Sequence, residues 1–440
     1  MLKVMRLRRL ILASSKGLLD PTICDGHRPP LQQEMILRAR HVVTMDRPPI
    51  ENGAVAINGN RIIDVGTFDE IRARASDEVV DLCERALLPG LINAHCHLDY
   101  TGLRGKIAPQ KSFTDWIHAI NAEKAKLSGE DYLAAINEGF AEAKKFGTTT
   151  IANLTAFPEL IAKTRPSIRT WWFAEMIDVR EPDRAREIVD LAVELLGKTE
   201  HWGLAPHALF TASANLYRRC EEVAERESIL LTTHLAESRE EMSMFRDGKG
   251  PLYEFMKEMG RGTSDRGRLT PLARFLEIVR DSSTSLGMTT RWIIAHLNEL
   301  SENDFDLLAR STEKFSIAHC PRSHASFAHT PFPFQRLREL GFNICLGTDS
   351  LASNSDLSLF AEMREFQKRF PDVVPEETLS TVTVRAARAL GRESSLGRIR
   401  TGCWADLIAI PCEKEGDVFE QIIAFNGSVP WIMIDGDTRD

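Results

Sequence analysis

The chain has 440 residues, 43% of them hydrophobic, with a formal net charge of -8 at pH 7, so it can bury a large core and lacks the basic balance typical of nucleic-acid-binding proteins. No apolar run approaches the length of a membrane span, and the eight cysteines are scattered without a CxxC motif. We therefore predict a cytoplasmic globular protein with free thiols, and neither nucleic acid nor membrane as a partner.

Residues 1–34 form a segment of their own. The segment begins with basic and apolar residues, but its uninterrupted apolar stretch, residues 10–13, is too short for a signal-peptide core. Two prolines, Pro29 and Pro30, and several polar residues follow. We predict a poorly ordered N-terminal extension.

Short strands are predicted near both ends of the chain. Alternation of apolar and polar residues indicates strands at 36–44, 53–57, 61–65, 406–410 and 431–434. The Asn-Gly-Asn sequence at 58–60 lies between two of these strands, which is a strong signal for a β-hairpin. We predict that residues 35–85 and 396–440 form one small β-sandwich domain built from both termini.

Strand-like and helix-like segments alternate between these ends. The predicted strands are 86–94, 148–153, 168–174, 202–207, 229–234, 292–296, 315–319 and 342–349, and helical spacing is clearest at 131–146, 183–196, 214–227 and 302–312. This alternation indicates parallel βαβ units, and eight such strands close a barrel. The predicted fold class is α/β, with a (β/α)8 TIM barrel over residues 86–395.

Ionisable residues stand at the ends of several predicted barrel strands. The first strand leads into His95-Cys96-His97, where residues two apart point the same way and both imidazoles can reach one metal ion. Three later strands end at His234, His296 and Asp349. Because a barrel presents all its carboxyl strand ends to one face, the pattern predicts a metal site there. For any single histidine, a buried and hydrogen-bonded core position is the alternative.

Several motifs, in this order, resemble the amidohydrolase superfamily, in the branch of chlorohydrolases and of adenosine and S-adenosylhomocysteine deaminases. The motifs are LPGLINAHCH at 88–97, APH at 205–207, THLAES at 233–238, AH at 295–296, LGTD at 346–349, Ser353-Asn354 and residues 402–407. Within the branch, AESREE at 236–241, GKG at 248–250 and GTDSLASN at 347–354 look most like the aminodeoxyfutalosine deaminases of the alternative menaquinone pathway. The zinc-deaminase signature of the cytidine-deaminase fold is absent.

The resemblance implies a mononuclear metal site. The implied ligands of one divalent ion, zinc first and iron(II) as the alternative, are His95, His97, His234 and Asp349. Such an ion activates water for attack on a ring carbon, while Asp349 also takes a proton and His296 holds the attacking oxygen. Glu237 would protonate the adjacent ring nitrogen; an acid at a helix N-terminus is the alternative for this residue. Residues 202–207 contain no lysine of the kind that binuclear members carbamylate, so one metal is expected.

The implied reaction is hydrolytic deamination of an aminated purine nucleoside or related N-heterocycle, with release of ammonia. An aminodeoxyfutalosine or adenosine-type substrate is favoured. A chlorohydrolase or another amidohydrolase acting on C–Cl or C–N bonds is the alternative, and an inactive barrel that binds a partner is a third hypothesis. The acid at Glu237 argues against simple amide cleavage. The expected partner is a small-molecule substrate. By resemblance to this branch, whose members often form dimers or larger homo-oligomers, further copies of the chain are also expected partners.

Residues outside the metal set are candidates for substrate contacts. They are His207, Trp116, Arg104, Arg322 and Asn354. His207 matches a family position that contacts substrate, whereas Trp116 can wall the purine or simply pack its loop. The two arginines can meet a substrate carboxylate or remain solvated surface charge. The roles of His319 and His324, between substrate contact and solvent exposure, stay open.

Overall fold

The computed structural model describes residues 34–74, 78–262, 267–282, 292–311 and 314–438. Of the predicted N-terminal extension, residues 1–33 lie outside the described residues. The strands in chain order are β1 (Glu34–Val42), β2 (Ile50–Asn58), β3 (Arg61–Thr67), β4 (Glu78–Asp81), β5 (Arg85–Pro89), β6 (Leu91–His97), β7 (Thr148–Thr155), β8 (Arg169–Met176), β9 (Trp202–Pro206), β10 (Leu230–Leu235), β11 (Trp292–His296), β12 (Ser316–His319), β13 (Asn343–Leu346), β14 (Asp349–Ser350), β15 (Leu407–Pro411) and β16 (Trp431–Met433).

Helices separate most of these strands. They are α1 (Phe68–Arg74), α2 (Phe113–Lys124), α3 (Gly129–Lys145), α4 (Ala185–Leu196), α5 (Ala214–Glu227), α6 (Arg239–Met242), α7 (Pro251–Glu258), α8 (Pro271–Ser282), α9 (Glu302–Arg310), α10 (Pro321–Ser326), α11 (Phe334–Glu339), α12 (Leu359–Arg369), α13 (Pro375–Ser380), α14 (Val384–Ala389) and α15 (Val418–Ala424). Local signals start several of them; Ser128 and Asp131, for example, form a capping box at α3. Among the described helices, none has both the length and the apolar character needed to cross a membrane.

Strands from both ends of the chain share one sheet. Within the described residues its order is β16-β15-β5-β1-β2-β3, and β4 pairs with β1. The predicted hairpin is confirmed, because Asn58 pairs with Arg61 across a two-residue loop. The C-terminal strand β15 pairs antiparallel with β5, with Ile408 opposite Leu88. Strand β4 was not predicted from the sequence.

The apolar run at 86–94, predicted as one barrel strand, is divided between two sheets, and this prediction was wrong. Strand β5 ends at Pro89 in the sheet of the chain termini, and β6 begins at Leu91 in the second sheet. The break falls at Gly90, where a Cβ atom would lie 2.1 Å from Oγ1 of Thr149. Only glycine lets the backbone pass this close to β7.

The second sheet has nine parallel strands in the described part of the chain, in the order β13-β12-β11-β10-β9-β8-β7-β6-β14. The predicted strand at 342–349 is split into β13 and β14 by Gly347 and Thr348. The Gly347 amide donates to the carbonyl of His319 at 2.9 Å, and the Thr348 amide donates to the carbonyl of His95 at 3.1 Å. Residues 347–348 therefore contact β12 and β6, which lie near opposite edges of the sheet. The sheet is curled so that these edges approach each other.

Alternation along the strands separates two faces of the curled sheet. Side chains such as Ile92, Ala94 and Ala152 pack together inside the curl. Their neighbours Ile151 and Trp172 point outward and pack in the larger core with the helices. Because the strands are parallel, their carboxyl ends lie on one side of the molecule, where the ionisable residues identified in the sequence are located.

Candidate functional site

Three histidines converge at the carboxyl ends of β6 and β10. His95 and His97 lie two residues apart on β6, and their rings are 5.0 Å apart. The Nε2 atoms of His97 and His234 are 3.1 Å apart. All three side chains are buried, and both ring nitrogens of His95 lack a hydrogen-bond partner among the described residues. Nitrogen atoms that converge in this way form a set that could hold a metal ion.

Asp349 completes one side of this cluster. It pairs with Cys96 in the register of β14 and β6, which brings its carboxylate to the end of β6. Its Oδ1 lies 3.9 Å from Nε2 of His95 and 3.9 Å from Nε2 of His97. Its Oδ2 accepts hydrogen bonds from the hydroxyls of Ser323, at 2.6 Å, and Ser353, at 3.0 Å. One carboxylate oxygen is thus held in place while the other faces the histidines.

Glu237 and His296 lie next to the three-histidine cluster. Oε1 of Glu237 is 3.7 Å from Nε2 of His296, and the His296 ring is 5.4 Å from that of His234. Burial, followed by the charges of Asp349 and Glu241, raises the pKa of Glu237 well above its ordinary value. Burial also lowers the pKa of His296 well below its ordinary value. A carboxyl group that keeps its proton beside a neutral imidazole suits proton donation.

Four residues at these strand ends have a strained backbone conformation. Ala236, His296, Leu297 and Asp349 all have positive φ, from 51° to 73°. Side chains other than glycine rarely adopt this conformation, and it recurs at functional sites where surrounding contacts enforce it. At Ala236 those contacts come from Glu241, whose carboxylate accepts the amides of Ala236 and Glu237.

The amidohydrolase family profile matches residues 86–438, most of the chain. The chain belongs to the amidohydrolase family. The family and its deaminase relatives identify the chain as a hydrolytic enzyme that acts on non-peptide C–N bonds. It is 30% identical, over 87% of its length and 84% of the relative's, to the 5-methylthioadenosine/S-adenosylhomocysteine deaminase of Nitratidesulfovibrio vulgaris.

Solved structures share the fold of this amidohydrolase. A Helicobacter pylori aminofutalosine deaminase in complex with methylthio-coformycin matches with a TM-score of 0.81 and 19% identity, over 92% of this chain and 100% of the other. A zinc-bound adenosine deaminase from Xanthomonas campestris matches with a TM-score of 0.74 and 24% identity, over 93% of each chain. At these identities the likeness establishes the fold.

A cleft opens beside Asp349 of the amidohydrolase, and Ser353 lines it. Four of the five residues predicted to contact substrate also line it, namely Arg104, Trp116, Arg322 and Asn354. His207 lies apart from them, with its ring 4.9 Å from that of His234. The predicted set is therefore spread over two parts of the site.

The polar candidates in the cleft already have protein partners. Arg104 pairs with Glu142, and Nη1 of Arg322 lies 2.6 Å from Oδ1 of Asp356. The Asn354 amide donates to the carbonyl of Thr348 at 2.8 Å. These contacts place the two arginines in ion pairs and direct Asn354 toward the segment before Asp349.

Aromatic side chains form another part of the cleft wall, and His319 and His324 lie outside the residues that line the cleft. Trp116, on α2, stacks on Phe113 and makes an edge contact with Phe327 at 5.1 Å. His319 is buried against Phe332, with ring centroids 4.0 Å apart, and Nε2 of His324 lies 2.9 Å from the Thr330 carbonyl. These two histidines are therefore buried, so the alternative that they are exposed to solvent is wrong.

Cys96 points away from the histidine cluster, as expected for the middle residue of the tripeptide. Its thiol is buried and lies 3.5 Å from Oδ1 of Asn153. The seven cysteines in the described part of the chain are free thiols.

Reasoning from sequence missed Glu175 and gave no role to Glu241, Ser323 or Ser353. Glu175 lies on β8, one residue beyond the predicted end of that strand. Glu175 lies two residues after Phe173 and four after Trp171, so its side chain points to the same face of β8, into the curl. The alternation of side chains along the strand could therefore have identified it. Burial raises the pKa of Glu175, and its Oε1 lies 3.7 Å from Nδ1 of His97.

Proposed function

We propose that this amidohydrolase is a metal-dependent deaminase of a 6-aminopurine nucleoside or a closely related aminated ring. The observation that carries the proposal is Glu237, a buried carboxyl group with a raised pKa, beside the three-histidine cluster. Ring deamination needs a proton donor for the nitrogen next to the attacked carbon, and an ionised surface carboxylate would supply it poorly at neutral pH.

The residues at the strand ends fit one divalent metal ion. We propose His95, His97, His234 and Asp349 as its ligands, with zinc as the favoured ion and iron(II) as the alternative. The unpartnered nitrogens of His95 and the close approach of His97 and His234 support this set, because buried nitrogens need a partner. When bound, such a metal lowers the proton affinity of water and stabilises negative charge on oxygen.

The chain's own residues then move the protons. Water adds to the ring carbon that bears the amino group, and Asp349 takes a proton from that water at Oδ1. The proton of Glu237 passes to the neighbouring ring nitrogen, so the ring does not accumulate charge. His296, 3.7 Å from Glu237, is placed to hold the added oxygen. When the C–N bond breaks, the proton on Asp349 goes to the amino group, which leaves as ammonia. The proton of the added hydroxyl goes to the Glu237 carboxylate, so the ring carbon becomes a carbonyl and the acid is restored.

The names of the relatives support a narrower substrate class. Curated relatives at 26–30% identity are named 5-methylthioadenosine/S-adenosylhomocysteine deaminases, and they match over 84% or more of their own length. We therefore extend the favoured group from aminodeoxyfutalosine and adenosine to adenine nucleosides substituted at the 5′ position. These compounds share the 6-aminopurine ring on which Glu237 would act.

Domain organisation is part of the proposal. We propose that the curled sheet is a closed (β/α)8 barrel in which β13 and β14 together form the eighth strand. The sheet of the chain termini would form the predicted small β-sandwich domain, with its first boundary at Gly90 rather than after residue 85. Support comes from strand β5, which pairs with β1 and β15 and not with the barrel strands.

Ammonia release by the zinc-loaded protein tests the function. The panel contains aminodeoxyfutalosine, adenosine, 5′-methylthioadenosine, S-adenosylhomocysteine and a chlorotriazine, with chloride release measured in parallel. Glu237→Gln removes the proposed donor, and Glu221→Gln, a buried acid on α5, is the matched control. We expect turnover of an aminopurine that falls at least about 100-fold in Glu237→Gln and persists in the control. Chloride release alone, or no ammonia from any aminated compound, would overturn the proposal.

A further inference from the structure

Glu175 is a buried acid that the proposed reaction does not use. Its side chain is 5% exposed, and its Oε1 has no hydrogen-bond partner among the described residues. Asp99, a nearby buried acid, is held through Oδ2, which accepts hydrogen bonds from the hydroxyl of Thr155 and from the amide of Ala156. A buried carboxylate without donors is costly, so the position of Glu175 calls for an explanation.

Two histidine rings lie close to the unpartnered oxygen. Nδ1 of His97 is 3.7 Å away and Nε2 of His207 is 4.0 Å away. Both distances exceed a hydrogen bond, but a small rotation of the Glu175 side chain shortens either of them. Both histidines belong to the candidate site, one as a proposed metal ligand and the other as a predicted substrate contact.

The same atoms could suggest a second metal site, formed by Glu175, His207 and His234. His234 has a single ring nitrogen for this purpose, because its Nδ1 lies 2.9 Å from the carbonyl of His207 and donates to it. The remaining nitrogen, Nε2, faces Nε2 of His97 and belongs to the three-histidine set. One lone pair cannot bind two metals, so Glu175 is better explained as an acceptor of N–H groups.

We propose that Glu175 is a positioning residue that accepts the Nδ1–H of His97 and the Nε2–H of His207. The inference rests on the proposed metal site, in which Nε2 of His97 is the ligand atom and Nδ1 must therefore carry the proton. At His207, the Thr211 hydroxyl lies 2.6 Å from Nδ1 and 3.2 Å from the carbonyl of Ala208. In the proposed arrangement its proton goes to the closer atom, Nδ1, which leaves the imidazole proton on Nε2, facing Glu175. A carboxylate behind a metal-ligating histidine fixes its tautomer and raises its basicity.

Zinc affinity of the purified protein tests this role without substrate. Glu175→Gln keeps the size of the side chain and removes its charge, and Glu221→Gln again serves as the matched buried control. Competition with a chromophoric chelator gives the zinc dissociation constant, and the visible spectrum of the cobalt(II)-substituted protein reports ligand geometry. We expect zinc binding about 10- to 100-fold weaker in Glu175→Gln, with an altered cobalt spectrum, and no change in the control.

Equal zinc affinity and an unchanged cobalt spectrum in Glu175→Gln would overturn the proposal, whatever its melting temperature. If this variant does not fold, Glu175→Asp, which keeps the charge but withdraws it by one methylene, decides in the same assays. Wild-type affinity in Glu175→Asp would then overturn the proposal, and weaker binding would support it. A wild-type protein that binds zinc but releases no ammonia would refute the deaminase function and leave this test intact.

Discussion

The carboxylate of Glu241 holds the turn that carries Glu237. Its Oε1 accepts the amide of Ala236 at 3.1 Å, and its Oε2 accepts the amide of Glu237 at 2.8 Å. Ala236 has a φ of 51°, a left-handed conformation that costs an alanine about 1–3 kcal/mol. Because the two hydrogen bonds offset this strain, we expect Glu241→Gln to loosen the turn and displace the Glu237 side chain.

The size of the effect follows from the two bonds. Glutamine retains one acceptor oxygen, so the substitution removes one of the two bonds and the charge that strengthens both. A hydrogen bond to a charged group contributes about 1.5–3 kcal/mol, and about 1.4 kcal/mol corresponds to a tenfold change in rate. We therefore expect kcat/KM for ammonia release to fall about 10- to 100-fold. Zinc affinity should stay at the wild-type value, because His234 precedes the turn.

Steady-state kinetics and chelator competition on the same samples measure both quantities. Glu221→Gln is the control for replacing a buried acid by an amide, and thermal melting checks that each variant is folded. Wild-type kcat/KM in a folded Glu241→Gln protein would refute the reasoning. A parallel loss of zinc would show that Glu241 acts on the metal ligands and not on the turn.

Two further predictions concern stability. Gly90→Ala places a Cβ atom 2.1 Å from Oγ1 of Thr149, so urea unfolding should show that the free energy of unfolding falls by about 1–3 kcal/mol or more. Gly129→Ala, which has open space around it, is the control and should be neutral or stabilising. Equal stabilities of the two variants would contradict the clash. Burial raises the pKa of Glu221, which accepts a hydrogen bond from Trp292, from 4.5 to about 8. The folded protein therefore keeps this proton while the unfolded chain loses it, so the free energy of unfolding should fall as pH rises from about 5 to 8, at up to about 1.4 kcal/mol per pH unit. The decline should be shallower in Glu221→Gln, and identical pH profiles would refute this assignment.

The order of strands and helices followed from local patterns along the chain. Runs such as 148–153 and 292–296 combine β-branched residues with short length, and helices such as Ala214–Glu227 show a clear apolar face. These signals depend on neighbours in sequence, so they can be recognised without the tertiary structure. The candidate ligands could also be predicted, because each one lies at or next to the carboxyl end of a predicted strand, and parallel strands place these ends together.

The sequence by itself thus determined the alternating α/β organisation, the family resemblance and the six ionisable residues of the proposed centre. Only the tertiary structure decided how the apolar run around Gly90 is shared between two sheets, since that depends on contact with Thr149 far along the chain. It also decided the pairing of Arg322 with Asp356, and the place of Glu175 between His97 and His207. Such contacts join residues distant in sequence, and their burial and distances exist only once the strands have packed.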